Sequence, residues 1–265
     1  MPITLILSNP FLSLGMNLKK SIARFISPPR GLRVLMYHKF SIAEKDYLTV
    51  TAQQFDEQLA FLKNENYTFV KLSDVLKHLE TGEKLPKNAL LLTFDDAYVS
   101  QKAIAEPILK KYDATAAMFI PSAFVGNQSS WDDNAAPLLS VTELKKLDPS
   151  VWELGLHSHS HFNFKTAPLE VILSDVYVNM YFFKEEKLAL TPALAYPYGA
   201  YPKTGKKSSD MMEGFDNWGV KAAFRIGNRV NRYPLSKKYE IQRIDVRGTE
   251  SFENFTFKVK YGKLI

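Results

Sequence analysis

Short apolar segments alternate with helical patterns along most of the chain, and this alternation constrains the fold more than any other feature of the sequence. The predicted strands are residues 32–37, 67–70, 89–94, 115–120, 152–156, 194–196, 221–224 and 240–246. Strands separated by helices in this way are typical of a parallel sheet, and so many of them without a glycine-rich dinucleotide-binding turn favour a barrel. We therefore expect one large α/β domain.

Several helices carry start and stop signals in the sequence. Residues 51–54 and 140–143 match the capping box, in which a Ser or Thr and a Glu or Gln three positions later bond to each other's backbone N–H groups. Ser73 is a candidate N-cap for a helix that Gly82 would end, and residues 168–187 form the longest predicted helix. These signals place helices between successive strands, as a barrel requires.

Polar and aromatic side chains follow the ends of several predicted strands. In chain order they are His38, Asp95, Asp96, Trp131, His157, His159, His161 and Tyr198. The carboxyl ends of parallel strands share one rim of a barrel, and such folds build their sites at that rim. We therefore expect these residues to meet around one mouth.

Asp95 and Asp96 stand directly after an apolar strand. Two neighbouring like charges are costly unless they share a cation or a proton, which indicates a metal site or an acid-base site. A solvated turn or a helix cap is the alternative, because Asp also favours these positions. Cysteine is absent, so a metal would be bound by histidine and carboxylate.

The His-Ser-His-Ser-His run at 157–161 allows two geometries. In an extended run all three histidines share one face, whereas in a turn or coil His157 and His161 converge and His159 points away. Two histidines with one carboxylate are typical of catalytic zinc, because this set leaves a coordination position open for water. A solvated polar loop is the alternative interpretation.

Basic residues are concentrated at the amino terminus. Residues 1–43 contain six Lys and Arg and no acid, whereas the rest of the chain is neutral overall, which argues against a general nucleic-acid-binding surface. The spacing of apolar residues here predicts a short basic amphipathic helix. Its apolar side is formed by Leu18, Ile22, Phe25 and Ile26. Such a helix contacts an anionic membrane surface, here through residues 16–30, or docks on the outside of its own domain.

Three motifs, in their order along the chain, resemble those of a known enzyme family. They are Thr-Phe-Asp-Asp at 93–96, His-Ser-x-x-His at 157–161 and Tyr-Pro-Tyr-Gly at 196–199. They are similar to the first three motifs of the polysaccharide deacetylases, which form carbohydrate esterase family 4 and share the NodB homology domain. Residues 35–38 and 195–199 most resemble the branch that contains the poly-β-1,6-N-acetylglucosamine deacetylases.

The resemblance implies a distorted (β/α)7 barrel, similar to a TIM barrel, and a metal-dependent de-N-acetylase. It implies that Asp95 is the general base and that the backbone N–H of Tyr198 stabilises an oxyanion. The implied ligands of the metal, Zn²⁺ with Co²⁺ or Ni²⁺ as alternatives, are Asp96, His157 and His161. The implied substrate is an N-acetylated glycan, an N-acetylhexosamine in a surface or cell-envelope polysaccharide. O-deacetylation, or glycan binding without catalysis, is the alternative function.

The sequence departs from the family pattern at two places. Ala195 stands where the family has an arginine that orients the base, and no histidine follows His161, so the usual C-terminal acid is missing. His38 is the candidate acid, with a core histidine bonded to the backbone as the alternative. The candidates to orient Asp95 are Arg225, Arg243 and Arg247. The candidates to bind sugar rings are Trp131, Tyr196 and Tyr198.

We expect a basic amphipathic arm at residues 1–30 and, as the resemblance implies, a polysaccharide deacetylase domain at residues 31–265. Residues 1–16 lack a basic start and are too short to span a bilayer, so they are poorly suited to be a signal peptide. We therefore expect the protein at the cytoplasmic face of the membrane, with the periplasm or the cell exterior as the alternative.

Overall fold

The computed structural model describes residues 27–132 and 134–263 and shows strands alternating with helices. Its strands are β1 (Arg33–Tyr37), β2 (Lys39–Ser41), β3 (Thr49–Thr51), β4 (Thr68–Phe69), β5 (Ala89–Asp95), β6 (Ala116–Ile120), β7 (Trp152–Leu156), β8 (Leu190–Ala195), β9 (Ala222–Ile226) and β10 (Ile241–Asp245). Its α-helices are α1 (Ala52–Asn64), α2 (Leu72–Thr81), α3 (Glu106–Lys111), α4 (Val141–Leu144), α5 (Leu169–Glu185), α6 (Lys206–Trp218) and α7 (Phe252–Tyr261). A π-helix at Gln101–Ala105 leads into α3.

Seven of these strands form a closed parallel barrel. They pair in the order β1, β10, β9, β8, β7, β6 and β5, and the ring closes where β5 pairs with β1 from Arg33↔Leu90 to Tyr37↔Phe94. The short strand β4 pairs with the start of β5 outside this ring. The predicted (β/α)7 barrel is therefore confirmed.

The period-two alternation of the strands separates two cores. Larger apolar side chains on the outer sides of the strands pack against the surrounding helices. A second cluster fills the barrel interior, and its strand residues include Val34, Leu91, Ala117, Phe119, Ala195 and Phe224. Helix α2 contributes Leu72, Val75 and Leu76 to this cluster. The interior is thus apolar below the mouth.

Phe119 helps to fill the barrel interior near the mouth. Its ring lies 5.6 Å from the ring of Phe224 and 5.7 Å from the guanidinium of Arg243. Gly155 makes room for it, because a Cβ at this position would lie 2.6 Å from the Phe119 ring. Side chains from several strands therefore meet in the centre, and the barrel is packed rather than hollow.

The same alternation carries four polar side chains inward at the mouth. Each lies an even number of residues after an interior position of its own strand, such as Leu91 in β5 or Gly155 in β7. The four residues are His38, Asp95, His157 and Arg243. The pattern of the strands alone therefore brings them to one end of the barrel.

Most of the predicted helix boundaries are confirmed. Thr51 and Ser140 each form a capping box at the start of α1 and α4. Gly82 ends α2 in the left-handed conformation that glycine favours, and α5 begins directly after Pro168. Local side-chain to backbone bonds therefore fix these helix ends in the way the sequence indicates.

The predicted N-cap at Ser73 is wrong. Helix α2 begins at Leu72, which is buried, and the side chain of Asp74 accepts a hydrogen bond of 2.9 Å from the N–H of the preceding Lys71. The hydroxyl of Ser73 instead donates to Glu153 at 2.6 Å. The helix starts earlier because burial of Leu72 and the bond to Asp74 both favour that position.

Three elements were not predicted. Strands β2 and β3 have three residues each, which is too short for a period to be recognised, and α7 follows the last predicted strand. The predicted amphipathic helix lies outside the described residues, which begin at residue 27. Across the described part of the chain, no helix combines the length and apolarity needed to cross a membrane.

Candidate active site

Asp95 and Asp96 leave the end of β5 in different directions. Asp95 is the last residue of the strand and its side chain continues inward, whereas Asp96 has φ 74° and the following Ala97 has φ 58°. Residues other than glycine adopt such angles at a cost of roughly 1–2 kcal/mol each. Both carboxylates are buried. The strained turn therefore gives two adjacent acids different surroundings.

Arg243 forms a two-point ion pair with Asp95. Its Nη1 and Nη2 groups donate to Oδ1 at 2.6 Å and to Oδ2 at 2.7 Å, and Arg243 itself is completely buried. Burial opposes ionisation of Asp95, but the charge of Arg243, followed by His157 and His38, holds the pKa of this carboxyl below its ordinary value. Asp95 is therefore ionised near neutral pH and fixed in one orientation.

Of the three arginines considered from the sequence, Arg243 is the one that contacts Asp95. Arg225 lies over a tyrosine ring, 6.0 Å from its centre, and Arg247 pairs with another carboxylate at 2.6 Å. Arg243 lies in β10, which pairs with one edge of β1, whereas β5, which carries Asp95, pairs with the other edge. Arg243 therefore orients Asp95, the contact that the resemblance assigns to an arginine at the position of Ala195.

Asp96, His157 and His161 form a buried group that fits a divalent cation, and we call it the Asp-His-His group. Oδ1 of Asp96 lies 3.4 Å from Nε2 of each histidine, and one donor atom from each residue lies within 4.8 Å of the others. This oxygen has no hydrogen-bond partner among the described residues. A buried carboxylate oxygen without a partner is costly, and a cation bound by one oxygen and two imidazole nitrogens would satisfy it.

Backbone and side-chain contacts orient the two histidines. Nδ1 of His157 lies 2.8 Å from the carbonyl oxygen of Ala195 and donates to it, which leaves Nε2 free to bind a cation. The backbone N–H of His157 donates to Asn179 at 3.1 Å, and that of His161 donates to the Ser158 hydroxyl at 2.9 Å. These contacts hold both rings towards Asp96.

The histidine run is coiled rather than extended. Ser158 and His161 have φ 65° and 50°, so the chain turns twice within the run. Nδ1 of His159 lies 2.9 Å from the hydroxyl of Ser122, and its backbone N–H donates to Asp175 at 2.6 Å. Of the two geometries that the sequence allowed, the structure has the one in which His159 points away from the other two histidines.

The two histidines of the Asp-His-His group differ in pKa. Burial lowers the pKa of His161 to about 4. Burial acts in the same direction on His157, but Asp95 and Asp96 outweigh it and raise the pKa of that imidazole. His161 is therefore neutral near pH 7. His157 holds its proton more tightly and would have to release it to bind a cation, so cation binding would be coupled to proton release.

His38 lies at the same mouth, directly after β1. Its Nε2 is 3.8 Å from Oδ2 of Asp95, and its side chain keeps 15% of its exposure. Burial lowers the pKa of this imidazole, which Asp95 and Asp96 oppose. A partly accessible imidazole beside a carboxylate is suited to exchange protons with a bound molecule.

Trp131 and Tyr198 flank His161 at the rim. The Trp131 ring lies 4.0 Å from the His161 ring at an angle of 30°, and the Tyr198 ring lies 4.9 Å from it. Tyr198 is half exposed, in a tight turn after β8 where it has φ 58°. Both aromatic residues therefore border the entrance to the Asp-His-His group.

Tyr196 lies elsewhere, and its predicted role in sugar binding is wrong. It is completely buried, its ring stacks on that of Tyr201 at 4.5 Å, and its hydroxyl donates to the carbonyl oxygen of Tyr239. The alternation of β8 explains this position, because Ala195 faces the interior and the next residue faces the helices.

A buried polar network beside the mouth was not indicated by the sequence. Asp132 accepts hydrogen bonds from Lys39 at 3.3 Å and from the Tyr98 hydroxyl at 3.1 Å, and Lys39 also donates to the carbonyl oxygen of Asn134. The network anchors the loop that carries Trp131. The sequence shows Trp131 and Asp132 side by side in a loop, but Lys39 and Tyr98, which contact Asp132, come from distant parts of the chain.

The fold and the site define a parallel α/β barrel with a buried Asp-His-His group that fits a divalent cation and a separately held carboxylate at its mouth. The family model described as polysaccharide deacetylase matches residues 82–214, half of the chain. The chain therefore belongs to the polysaccharide deacetylase family, and it is a hydrolase.

Two similar proteins are named poly-β-1,6-N-acetyl-D-glucosamine N-deacetylase. The one from Staphylococcus epidermidis is 28% identical over 223 residues, which cover 79% of this chain and 71% of the relative. The one from Staphylococcus aureus is 27% identical over 237 residues, which cover 84% and 76%. Their names describe hydrolysis of a carbon–nitrogen bond.

Two solved structures share the fold. IcaB from Ammonifex degensii has a TM-score of 0.74 and 22% identity, and the match covers 88% of this chain and 98% of that one. The Streptococcus pyogenes deacetylase PplD in complex with acetate has a TM-score of 0.71 and 22% identity, with coverage of 88% and 99%. At this identity the likeness concerns the barrel fold alone.

Arg243→Met removes the partner of a buried carboxylate. We expect it to lower the free energy of unfolding by about 3–5 kcal/mol, because Asp95 is left charged and unpaired. Adding Asp95→Asn to this variant should recover part of the loss. Urea denaturation followed by circular dichroism measures the effect, with the exposed Arg229→Met, expected within about 0.5 kcal/mol of the parent, as control. Equal stability of Arg243→Met and Arg229→Met would contradict the importance of the ion pair.

Asp96→Asn and His161→Ala are expected to weaken Zn²⁺ binding by more than the roughly 10–100-fold loss typical of outer-sphere contacts, because each removes one of the three side chains that would bind the cation. Isothermal titration with Zn²⁺ measures this change. His159→Ala is the matched control and should bind as the parent does, since its ring contacts Ser122. A comparable loss in the control would show that the three histidines act together.

Proposed function

We propose that this protein is a metal-dependent de-N-acetylase that hydrolyses the acetamide group of an N-acetylhexosamine in a surface or cell-envelope polysaccharide and releases acetate. One observation carries the proposal: Asp95, held ionised by Arg243, lies beside the Asp-His-His group. Its Oδ2 is 3.8 Å from Nε2 of both His38 and His157. This arrangement separates a proton-transferring carboxylate from the residues that would bind a cation.

The proposed substrate rests on the relatives. Both staphylococcal proteins are named N-deacetylases of poly-β-1,6-N-acetyl-D-glucosamine. Membership of the polysaccharide deacetylase family supports a polymer rather than a small acetylated metabolite. We propose Zn²⁺ as the cation, because one carboxylate and two imidazoles suit it and leave a position open, once His157 has released its proton.

Amide hydrolysis needs an activated water molecule. A divalent cation held by the Asp-His-His group would supply this activation, because it would lower the pKa of a bound water molecule towards about 7. Asp95 is the proposed base, because it is ionised and lies at the edge of that group. Although Arg243 bonds both of its oxygens, each keeps a second lone pair for the proton.

The second half of the reaction needs an oxyanion donor and a proton for the departing amine. The proposed donor is the backbone N–H of Tyr198, in the turn that follows β8. The proposed acid is His38, because its partly accessible imidazole shares the mouth with Asp95.

Trp131 and Tyr198 are proposed to contact the sugar. Their rings border His161, and the half-exposed Tyr198 presents its surface to solvent. Aromatic faces provide large apolar contact area to pyranose rings. A sugar placed between them would hold its acetamide group over the Asp-His-His group.

The zinc-loaded protein is expected to release acetate from N-acetylglucosamine oligomers. Asp95→Asn should lower kcat by roughly 10²–10⁴-fold while bound Zn²⁺ is unchanged, because the base is lost and the ligands remain. Asp210→Asn, on the outside of α6, is the control and should keep full activity. Oligomer binding without acetate release would indicate a glycan-binding protein, and preferred release from O-acetylated glycans would indicate an esterase.

His38→Ala is expected to lower kcat by roughly 100-fold or more, with KM and bound Zn²⁺ unchanged, because it removes the proton donor without touching the ligands. Steady-state acetate release and metal analysis measure the two effects. His78→Ala is the matched control, since that ring contacts the carbonyl oxygen of Glu83 on the surface. Near-normal turnover of His38→Ala would exclude it as the acid.

A further inference from the structure

Gln101 is a completely buried amide close to the two proposed proton-transfer residues. It is the first residue of the π-helix Gln101–Ala105, six positions after Asp95. Its Nε2 group donates to the carbonyl oxygen of Asp95 at 2.6 Å and to that of His38 at 2.8 Å. An amide nitrogen carries two hydrogens, so it can bond to both carbonyls at the same time.

These two bonds tie β1 to β5 just beyond their paired residues. The paired residues of β1 and β5 end at Tyr37↔Phe94, so His38 and Asp95 are the residues that directly follow the last pair. Gln101 therefore holds together the two backbones at the point where their side chains enter the mouth. The distance between Nε2 of His38 and Oδ2 of Asp95, 3.8 Å, depends on that backbone separation.

A second contact from the same turn reinforces this tie. The hydroxyl of Ser100 accepts a hydrogen bond of 3.1 Å from the backbone N–H of Phe40, two residues after His38. The start of the π-helix thus contacts the chain on both sides of Lys39. One-turn π-helical segments are often found at functional sites, where they place a side chain that a regular helix would not.

The amide of Gln101 combines satisfied donors with an acceptor that the described residues leave unsatisfied. Oε1 of Gln101 is buried and has no hydrogen-bond partner among the described residues. An unsatisfied buried acceptor costs stability, and an apolar residue of the same length would avoid that cost but would leave the carbonyl oxygens of His38 and Asp95 without these donors. The amide is explained by its donors, which bond only to the two proposed proton-transfer residues.

We infer that Gln101 is a positioning residue that sets the separation between the proton acceptor, Asp95, and the proton donor, His38. This inference rests on the proposed function. Because proton transfer depends steeply on geometry, loosening the tie should lower turnover without changing the affinity for substrate or cation.

The test uses Gln101→Met, which keeps the length of the side chain and removes both donors. Its kcat for acetate release should fall roughly 10–100-fold, with KM and bound Zn²⁺ unchanged. Gln101→Asn, which keeps the amide on a shorter stem, should show a smaller fall and serves if the methionine variant does not fold. The control is Gln53→Met on the exposed surface of α1, which should have the activity of the parent.

A double-mutant cycle separates positioning from a general structural role. In the His38→Ala background, Gln101→Met should cause a clearly smaller loss than in the parent, because the donor that it positions is already absent. Equal losses in the two backgrounds would overturn the inference, as would an unchanged kcat of the single variant.

A crystal structure of Gln101→Met provides a readout that does not depend on activity. The His38 to Asp95 separation should be longer than in the parent or the His38 ring should be rotated away. An unchanged geometry would overturn the inference. If the parent releases no acetate, the proposed function fails, and this structural comparison alone decides whether Gln101 positions the pair.

Discussion

The buried ion pair between Arg243 and Asp95 is the interaction on which the rest of the mouth depends. Removing two charges from water is costly, and the pair is tolerated because both Asp95 oxygens are bonded and the partners are fixed by the barrel. The pair also divides two adjacent acids. The charge of Asp95 is balanced by a guanidinium, which leaves Asp96 as the carboxylate that is available to a cation.

Much of the fold could be predicted from the sequence because it is encoded locally. Each apolar strand, each capping box, such as those at Thr51 and Ser140, and each polar residue at a strand end is recognised from only a few neighbouring positions. Period-two alternation then determines which residues face inward, so Asp95 and His157 reach one mouth. A closed parallel barrel makes neighbours of residues that the sequence separates widely.

The remainder depends on contacts between distant segments. The sequence leaves three candidate arginines to orient Asp95. The pairing of Arg243 with Asp95 depends on the ring closure through β1, which residue spacing does not reveal. Asn179 and Gln101 resembled ordinary polar residues of helices until their carbonyl and N–H partners were known. Tyr196 was misplaced because a residue after a strand can face the mouth or the helices, and one position of alternation decides between them.

The packed interior around Phe119 has a consequence for how a polymer could be handled. With Phe119 in the centre and α2 contributing Leu72 and Val75 to the same core, the barrel offers no passage from end to end. In the proposed function, a glycan would therefore approach from the solvent side of the rim and direct one acetamide group towards the Asp-His-His group. Such an approach makes no demand on a free chain terminus, so units in the middle of a long strand would be as accessible as those at its ends.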